Sequence, residues 1–245
     1  MRLQTLAFFN LPGGVEWLVI LIVGLLLFGR RLPEVARRLK ADAIVLAGDL
    51  LGYPAGFSGV EEAQQADARQ IVRLLERSGV PVYYIMGNDD WVDLEPGGGQ
   101  IFSLHGRRME LGQYNLVGYQ YSLPFMGGIF EKAEEGIAED LADLGALMNT
   151  NSVLVTHSPA KGVLDTTVLG TSAGSTSVFG FIQRYGIRVH VHGHIHACFG
   201  REGRHFNAAA GDKMRAMLID IETMSHLVVD MAEKPEVNSG DDESG

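Results

Sequence analysis

Four short apolar runs in this chain each end at a polar residue with useful chemistry. Ala43-Ile44-Val45-Leu46-Ala47 leads into Gly48-Asp49, and Val80 to Met86 leads into Gly87-Asn88-Asp89-Asp90. Val153-Leu154-Val155-Thr156 leads into His157-Ser158-Pro159, and Val189-His190-Val191-His192 leads into Gly193-His194-Ile195-His196. The first three runs read as strands covered on both faces, which is the habit of parallel sheets in α/β proteins. Open α/β sheets collect their ligands at the carboxyl ends of such strands. The pattern therefore predicts one sheet edge that carries Asp49, Asn88, His157 and the His194/His196 pair.

The segments between the runs fit that plan. Residues 59–78 read as an amphipathic helix, with Ile71, Leu74 and Leu75 on one face and Gly79 as its stop. Residues 130–148 read as a helix with an acidic exposed face, and 178–185 as a short one. Residues 93–100 and 170–177 are Gly- or Ser-rich loops. Residues 104–121 read as antiparallel strands with a turn at Gly112-Gln113. Residues 198–230 read as two or three closing strands. Residues 233–245 are acidic and rich in Pro, Gly and Ser, and read as a disordered tail.

Four of the chain's eight histidines lie within residues 189–196. Imidazole is the commonest metal ligand among side chains, and a cluster at a strand end can point at neighbouring cations. With the carboxylate of Asp49 and the carboxamide of Asn88, the edge offers oxygen and nitrogen donors for one or two divalent ions, of the Mn, Fe, Zn or Ni kind. Two ions held together can activate a water and clamp a phosphoryl group in flight. The net charge of −10 argues against a nucleic-acid scaffold. The single Cys198 excludes an internal disulfide and fits a reducing compartment.

The first forty residues are different. Trp17 to Phe28 is an unbroken apolar run of twelve, shorter than the ~20 residues of a standard membrane helix. It reads either as a buried first strand or as a short membrane anchor. After Gly29-Arg30-Arg31, the residues Leu32, Val35, Ala36 and Leu39 share one helical face while the arginines take the other. A basic amphipathic helix of this kind suits a membrane surface.

Two resemblances follow. Phe8 to Leu39, above all Leu27-Phe28-Gly29-Arg30-Arg31-Leu32-Pro33-Glu34, resembles the start of the TatA-type subunit of the twin-arginine translocase. That implies membrane contact through residues 1–39 and a cytoplasmic body anchored by residues 17–39, by the positive-inside rule. Residues 40 to about 230 resemble the calcineurin-like metallophosphoesterases. The resemblance is carried by Gly48-Asp49, Gly87-Asn88, Thr156-His157-Ser158-Pro159 and Val191-His192-Gly193-His194-Ile195-His196. It implies a four-layer α/β/β/α sandwich of two mixed sheets and a phosphate-ester substrate.

By that resemblance Asp49 bridges two metals. Asn88, His157 and His194 complete the second metal site, and His196 binds the first. The family often has histidine after the asparagine, acting near the leaving group. Asp89 stands there in this chain, positioned to orient a water or the leaving oxygen. His192 supports the ligands, while His105, His190, His205 and His226 are surface or packing residues. The family's first block, Asp-x-His at the end of the first strand, is missing, because Leu25 and Leu27 occupy its place.

The organisation expected is therefore a leader or substitute first strand over 1–39, a phosphoesterase domain over 40–232 and a tail over 233–245. The expected activity is metal-dependent phosphoester hydrolysis impaired by the missing block. The alternatives are a membrane-anchored, translocase-like fusion and a non-catalytic metal-binding module.

Overall fold

Every residue of the Ala43–Ala47 run is buried, and its side chains part into two separate cores. Ile44 and Leu46 face one core, while Ala43, Val45 and Ala47 face another. This period-two division of a wholly apolar strand is what a sheet covered on both faces requires. It repeats on the neighbouring run, where Val82 and Tyr84 join the first core and Tyr83 and Ile85 the second.

The computed structural model describes residues 17–20, 32–210, 213 and 215–230. In chain order its first half runs β1 (Trp17–Ile20), α1 (Leu32–Arg38), β2 (Ala43–Ala47), α2 (Val60–Leu75), β3 (Val82–Ile85), β4 (Ile101–Ser103), β5 (Arg108–Leu111) and β6 (Tyr114–Tyr119). The second half runs α3 (Glu134–Leu144), β7 (Ser152–Thr156), α4 (Thr176–Tyr185), β8 (Val189–His192), β9 (Gly200–Glu202), β10 (His205–Asn207), β11 (Arg215–Asp220) and β12 (His226–Asp230).

The strands form two six-stranded sheets, ordered β12-β11-β1-β2-β3-β4 and β5-β6-β7-β8-β10-β9. Both are mixed. β1 through β4 run parallel and β11 pairs antiparallel with both β1 and β12; β6, β7, β8 and β10 run parallel while β5 and β9 are antiparallel to them. The sheets face each other across a core built from Val45, Ile85, Leu116, Val155, Val191 and Ile219, among others. α1 and α2 cover the outer face of the first sheet through Leu32, Val35, Ala36, Ile71 and Leu75. α3 and α4 cover the second through Ile137, Leu141, Val178 and Ile182. The result is the α/β/β/α sandwich.

Two local features differ from expectation. The closing segment contains four strands, because Gly203 at φ 58° turns β9 back onto β10 within the second sheet. The chain then crosses to the first sheet as β11 and β12. The basic amphipathic helix is present as α1, but Leu32, Val35 and Ala36 are turned into the core, leaving Glu34, Arg37 and Arg38 outward. The first residues of the apolar run pair as β1 between β2 and β11. Residues 21–31, with Leu25 and Leu27, and the expected tail over 233–245 lie outside the described residues. Among the described residues no helix is long and apolar enough to cross a membrane.

Candidate metal centre

Parallel pairing brings the carboxyl ends of β2 and β3 side by side in one sheet, and those of β7 and β8 side by side in the other. Asp49 and Asn88 follow the first pair; His157 and His194 follow the second. One donor atom each from Asp49, His157 and His194 lies within 4.8 Å of the others.

His157 is fully buried and its two ring nitrogens do different work. Nδ1 sits 2.8 Å from the Ala47 carbonyl, so it carries the proton and donates. Nε2 then faces two further acceptors, Asn88 Oδ1 at 2.9 Å and Asp49 Oδ2 at 3.3 Å. The Asn88 amide nitrogen points the other way, to Met126 Sδ at 3.8 Å. Three acceptor atoms this close demand a cation between them. In the metal-free chain a proton on His157 serves. Burial, the largest single effect, disfavours that charge, but the Asp49 carboxylate, the Ala47 carbonyl and the Asp90 charge together outweigh it and raise the His157 pKa. A divalent ion serves equally: with bonds of about 2.0–2.2 Å, adjacent ligands on one ion stand about 3 Å apart. The donor set therefore fits a divalent metal.

His194 stands with its ring centroid 5.0 Å from that of His157. Burial, then the neighbouring His157 charge, lower its pKa to about 4, so at neutral pH it is the neutral imidazole that a metal needs. Asp49 and His194 both hold left-handed backbone conformations, at φ 54° and 67°. Such geometry in residues other than glycine is costly, and it gathers at functional sites.

Two glycines make the approach possible. A Cβ on Gly48 would strike the His157 ring, and one on Gly87 would strike both Asp49 and His157. A third support is Asp90, fully buried beneath the site. Its Oδ1 accepts the Leu50 and Leu51 N–H groups, each at 2.9 Å, and its Oδ2 accepts the Gly87 N–H at 2.8 Å. Burial and the Asp49 charge push its pKa up to about 8 against the pull of those donors.

Asp89 donates its N–H to Asp49 Oδ1 at 2.9 Å. Its own carboxylate accepts the Tyr53 hydroxyl at 2.5 Å, and Gln64 of α2 donates to its carbonyl at 2.8 Å. Burial, with the Asp49 charge acting in the same direction, raises the Asp89 pKa. His196 is exposed at the start of a short 3-10 turn and is not one of the three residues in the acid–histidine cluster among the described residues.

Of the other histidines, His190 and His192 are fully buried on β8 and His205 nearly so on β10. His190 Nε2 lies 2.8 Å from Thr156 Oγ1, and His190 Nδ1 lies 3.0 Å from His205 Nδ1. His192 Nδ1 is 3.2 Å from the Gly193 carbonyl, while its Nε2 has no hydrogen-bond partner among the described residues. Asp90, Tyr53 and Gln64 are supports that sequence reasoning missed. The one available signal was the doubled acid after Asn88.

A model of the mttA/Hcf106 family matches residues 9–40. No curated protein sequence matches the chain. Among solved structures, the TT1561 protein of Thermus thermophilus is 16% identical with a TM-score of 0.67, over 89% of this chain and 100% of that one. A dimetal phosphatase from Danio rerio is 11% identical with a TM-score of 0.52, over 89% and 99%. At these identities the likeness is one of fold. A model of the calcineurin-like phosphoesterases matches residues 25–198, well over half of the chain and all four strand-end blocks. The chain belongs to the calcineurin-like phosphoesterase family.

Proposed function

We propose that this chain is a metal-dependent phosphoesterase, acting on a small phosphate ester, whose second metal site is complete and whose first is crippled. The observation that carries the reading is the convergence of Asn88 Oδ1 and Asp49 Oδ2 on His157 Nε2, at 2.9 and 3.3 Å. Asp49, Asn88, His157 and His194 would hold one divalent ion, manganese being the first to try, and His196 would turn to a weaker second. A bound divalent ion supplies Lewis-acid polarisation and positive charge for the phosphoryl group. The chain supplies the rest. Asp90 fixes the two loops that present Asp49 and Asn88. Tyr53 holds Asp89 at the edge of the site, where its carboxyl can meet the leaving oxygen.

The impairment follows from sequence chemistry. Residues 21–32 contain no Asp, Glu, His, Asn or Cys, so this stretch cannot offer the family's first ligand pair. Turnover of a generic phosphodiester with Mn²⁺, compared between this chain and Leu25→Asp/Leu27→His, tests it. The double variant is expected to be faster by about 10²-fold, the size of losing one strong electrostatic contact to the transition state. Equal rates would refute the impairment. A non-catalytic module that binds one ion for stability predicts metal-dependent melting with no turnover in either protein.

The match at residues 9–40 supports a second reading for the leader: the run that supplies β1 also contacts the cytoplasmic face of a membrane. The burial of Leu32, Val35 and Ala36 makes α1 the weaker part of that contact. Fractionation of the full chain checks it. Recovery wholly in the membrane-free fraction would count against it.

A further inference from the structure

Beside the metal centre opens a cleft of about 310 Å³ whose walls are mostly hydrocarbon. His194 and His196 are among the residues that line it, with Phe125, Val168, Ala173 and Ile195 forming much of the remainder. The Phe125 ring meets the His194 ring edge-on, with centroids 6.5 Å apart. Phe125 is 76% exposed, Val168 87% and its neighbour Leu169 85%. Isolated apolar residues on a surface need no explanation, but several gathered around one cleft do.

Both loops that carry these side chains are fixed by buried or half-buried acids. Glu131 accepts the N–H groups of Phe125, Met126 and Gly127 at 2.8–2.9 Å. Asp165 accepts the N–H groups of Gly162 and Gly174, at 2.9 and 3.2 Å, and the Ser172 hydroxyl. The Val168-Leu169 tip is closed by Thr167 N–H to Thr171 carbonyl at 2.8 Å and Gly170 N–H to Thr167 carbonyl at 2.9 Å. The apolar groups are thus held outward in water instead of collapsing inward. A surface preorganised in this way spends less entropy on capturing an apolar partner.

We propose that this cleft is the subsite for an apolar organic group, an aryl ring or short alkyl chain, of the phosphate ester. The inference rests on reading the Asp49–His157–His194 edge as the phosphate end. Apart from the two imidazoles and Thr167, the cleft walls offer no polar side chain among the described residues, so a sugar or a charged headgroup entering it would lose hydrogen bonds to water without replacement. Its volume lies at the lower limit of small-molecule pockets, which suits one ring system or a short chain.

The test is binding to the full chain with Mn²⁺, measured calorimetrically with 1-naphthylphosphonate, methylphosphonate and phosphate-free 1-naphthol. The naphthyl phosphonate is expected to bind at least about tenfold more tightly than the methyl compound, the scale of burying a few apolar carbons. In Val168→Asp that preference should vanish. If neither phosphonate binds but 1-naphthol does, and Val168→Asp weakens it, the apolar subsite stands and the phosphoesterase reading falls. Equal affinity for the two phosphonates, a preference untouched by both Val168→Asp and Phe125→Ala, or no binding of any probe overturns the proposal. So does a Val168→Asp effect seen only as lost association with phosphatidylcholine vesicles.

Discussion

The Asp90 carboxylate accepts hydrogen bonds from backbone N–H groups and not from a proposed metal ligand, yet it decides where two of those ligands stand. Its two oxygens collect three backbone N–H groups, two from the loop after Asp49 and one from Gly87. Asp90→Ala would leave three buried donors without an acceptor. Each such orphan costs about 1–3 kcal/mol, so we expect a loss of about 3 kcal/mol or more in urea unfolding, together with weakened Mn²⁺ binding. Gly87→Ala should damage the site by a different route, since the added carbon strikes Asp49 and His157 at once. Metal affinity should fall at least about tenfold, read by titration, and near-native affinity in both variants would refute this account of the supports. These supports also mark the limit of what the sequence discloses. Asp49, Asn88, His157 and His194 were legible because each ends an apolar run. Asp90 was not, because its partners Leu50 and Leu51 lie 40 and 39 positions earlier in the chain and are backbone groups of no particular residue type. Tyr53 was hidden for the same reason: its link to Asp89 spans 36 positions.

Strand β8 shows how one element serves two purposes. Val189 and Val191 face the core between the sheets, while His190 and His192 lie on the opposite side, fully buried. The Thr156 hydroxyl donates to the Ser158 carbonyl at 2.5 Å, so His190 Nε2 donates to Thr156 and His205 Nδ1 donates to His190 Nδ1. A proton added to His190 would set two N–H groups face to face. Burial lowers the pKa of His190 well below 6.5 and that of His192 to about 3. The unfolded chain then binds more protons than the folded one once the pH falls below about 6.5. Stability from these two groups is full above that pH and is lost as it falls, by up to about 1.4 kcal/mol per pH unit for each. His157, whose pKa is raised, acts in the opposite sense: its contribution is full below 6.5 and fades as the pH rises. Asp67, Asp89 and Asp90, whose pKa values are raised, act in the same sense as His157, but the lowered pKa values of His105, His190, His192, His194, His205 and His226 outnumber these four groups. The urea midpoint of the EDTA-treated protein should therefore drop between pH 6.5 and 5, and a flat profile would contradict the buried-neutral assignment. Other elements were read from the sequence with differing success. The helices expected over 59–78, 130–148 and 178–185 are present at 60–75, 134–144 and 176–185, the first legible through its periodic apolar face and the second through its acidic one. β4 was missed because three residues after a glycine-rich loop carry too short a pattern.

The sandwich as a whole explains both the strength and the weakness of the site. Two sheets back to back bring four strand ends from distant stretches of chain to one rim, two from each sheet. The meeting of four strand ends was readable once the strands were recognised as parallel and doubly covered, but the strand pattern alone placed them on one sheet edge, and the structure divides them between two sheets. The fate of the first apolar run was not readable, because a hydrophobic strand and a short membrane segment share one composition. Trp17–Ile20 takes a place in the first sheet beside β2, where it satisfies backbone pairing on both sides. The residues after it up to Leu32 are apolar or basic, so the rim gains a strand without gaining a metal ligand from that stretch. The account thus predicts a centre for one tightly held ion. Metal analysis after equilibration with Mn²⁺ and desalting tests this directly. One ion per chain is expected for this sequence, none for His157→Ala and two for Leu25→Asp/Leu27→His. A chain that retains no ion, or retains the same amount after His157→Ala, would contradict it.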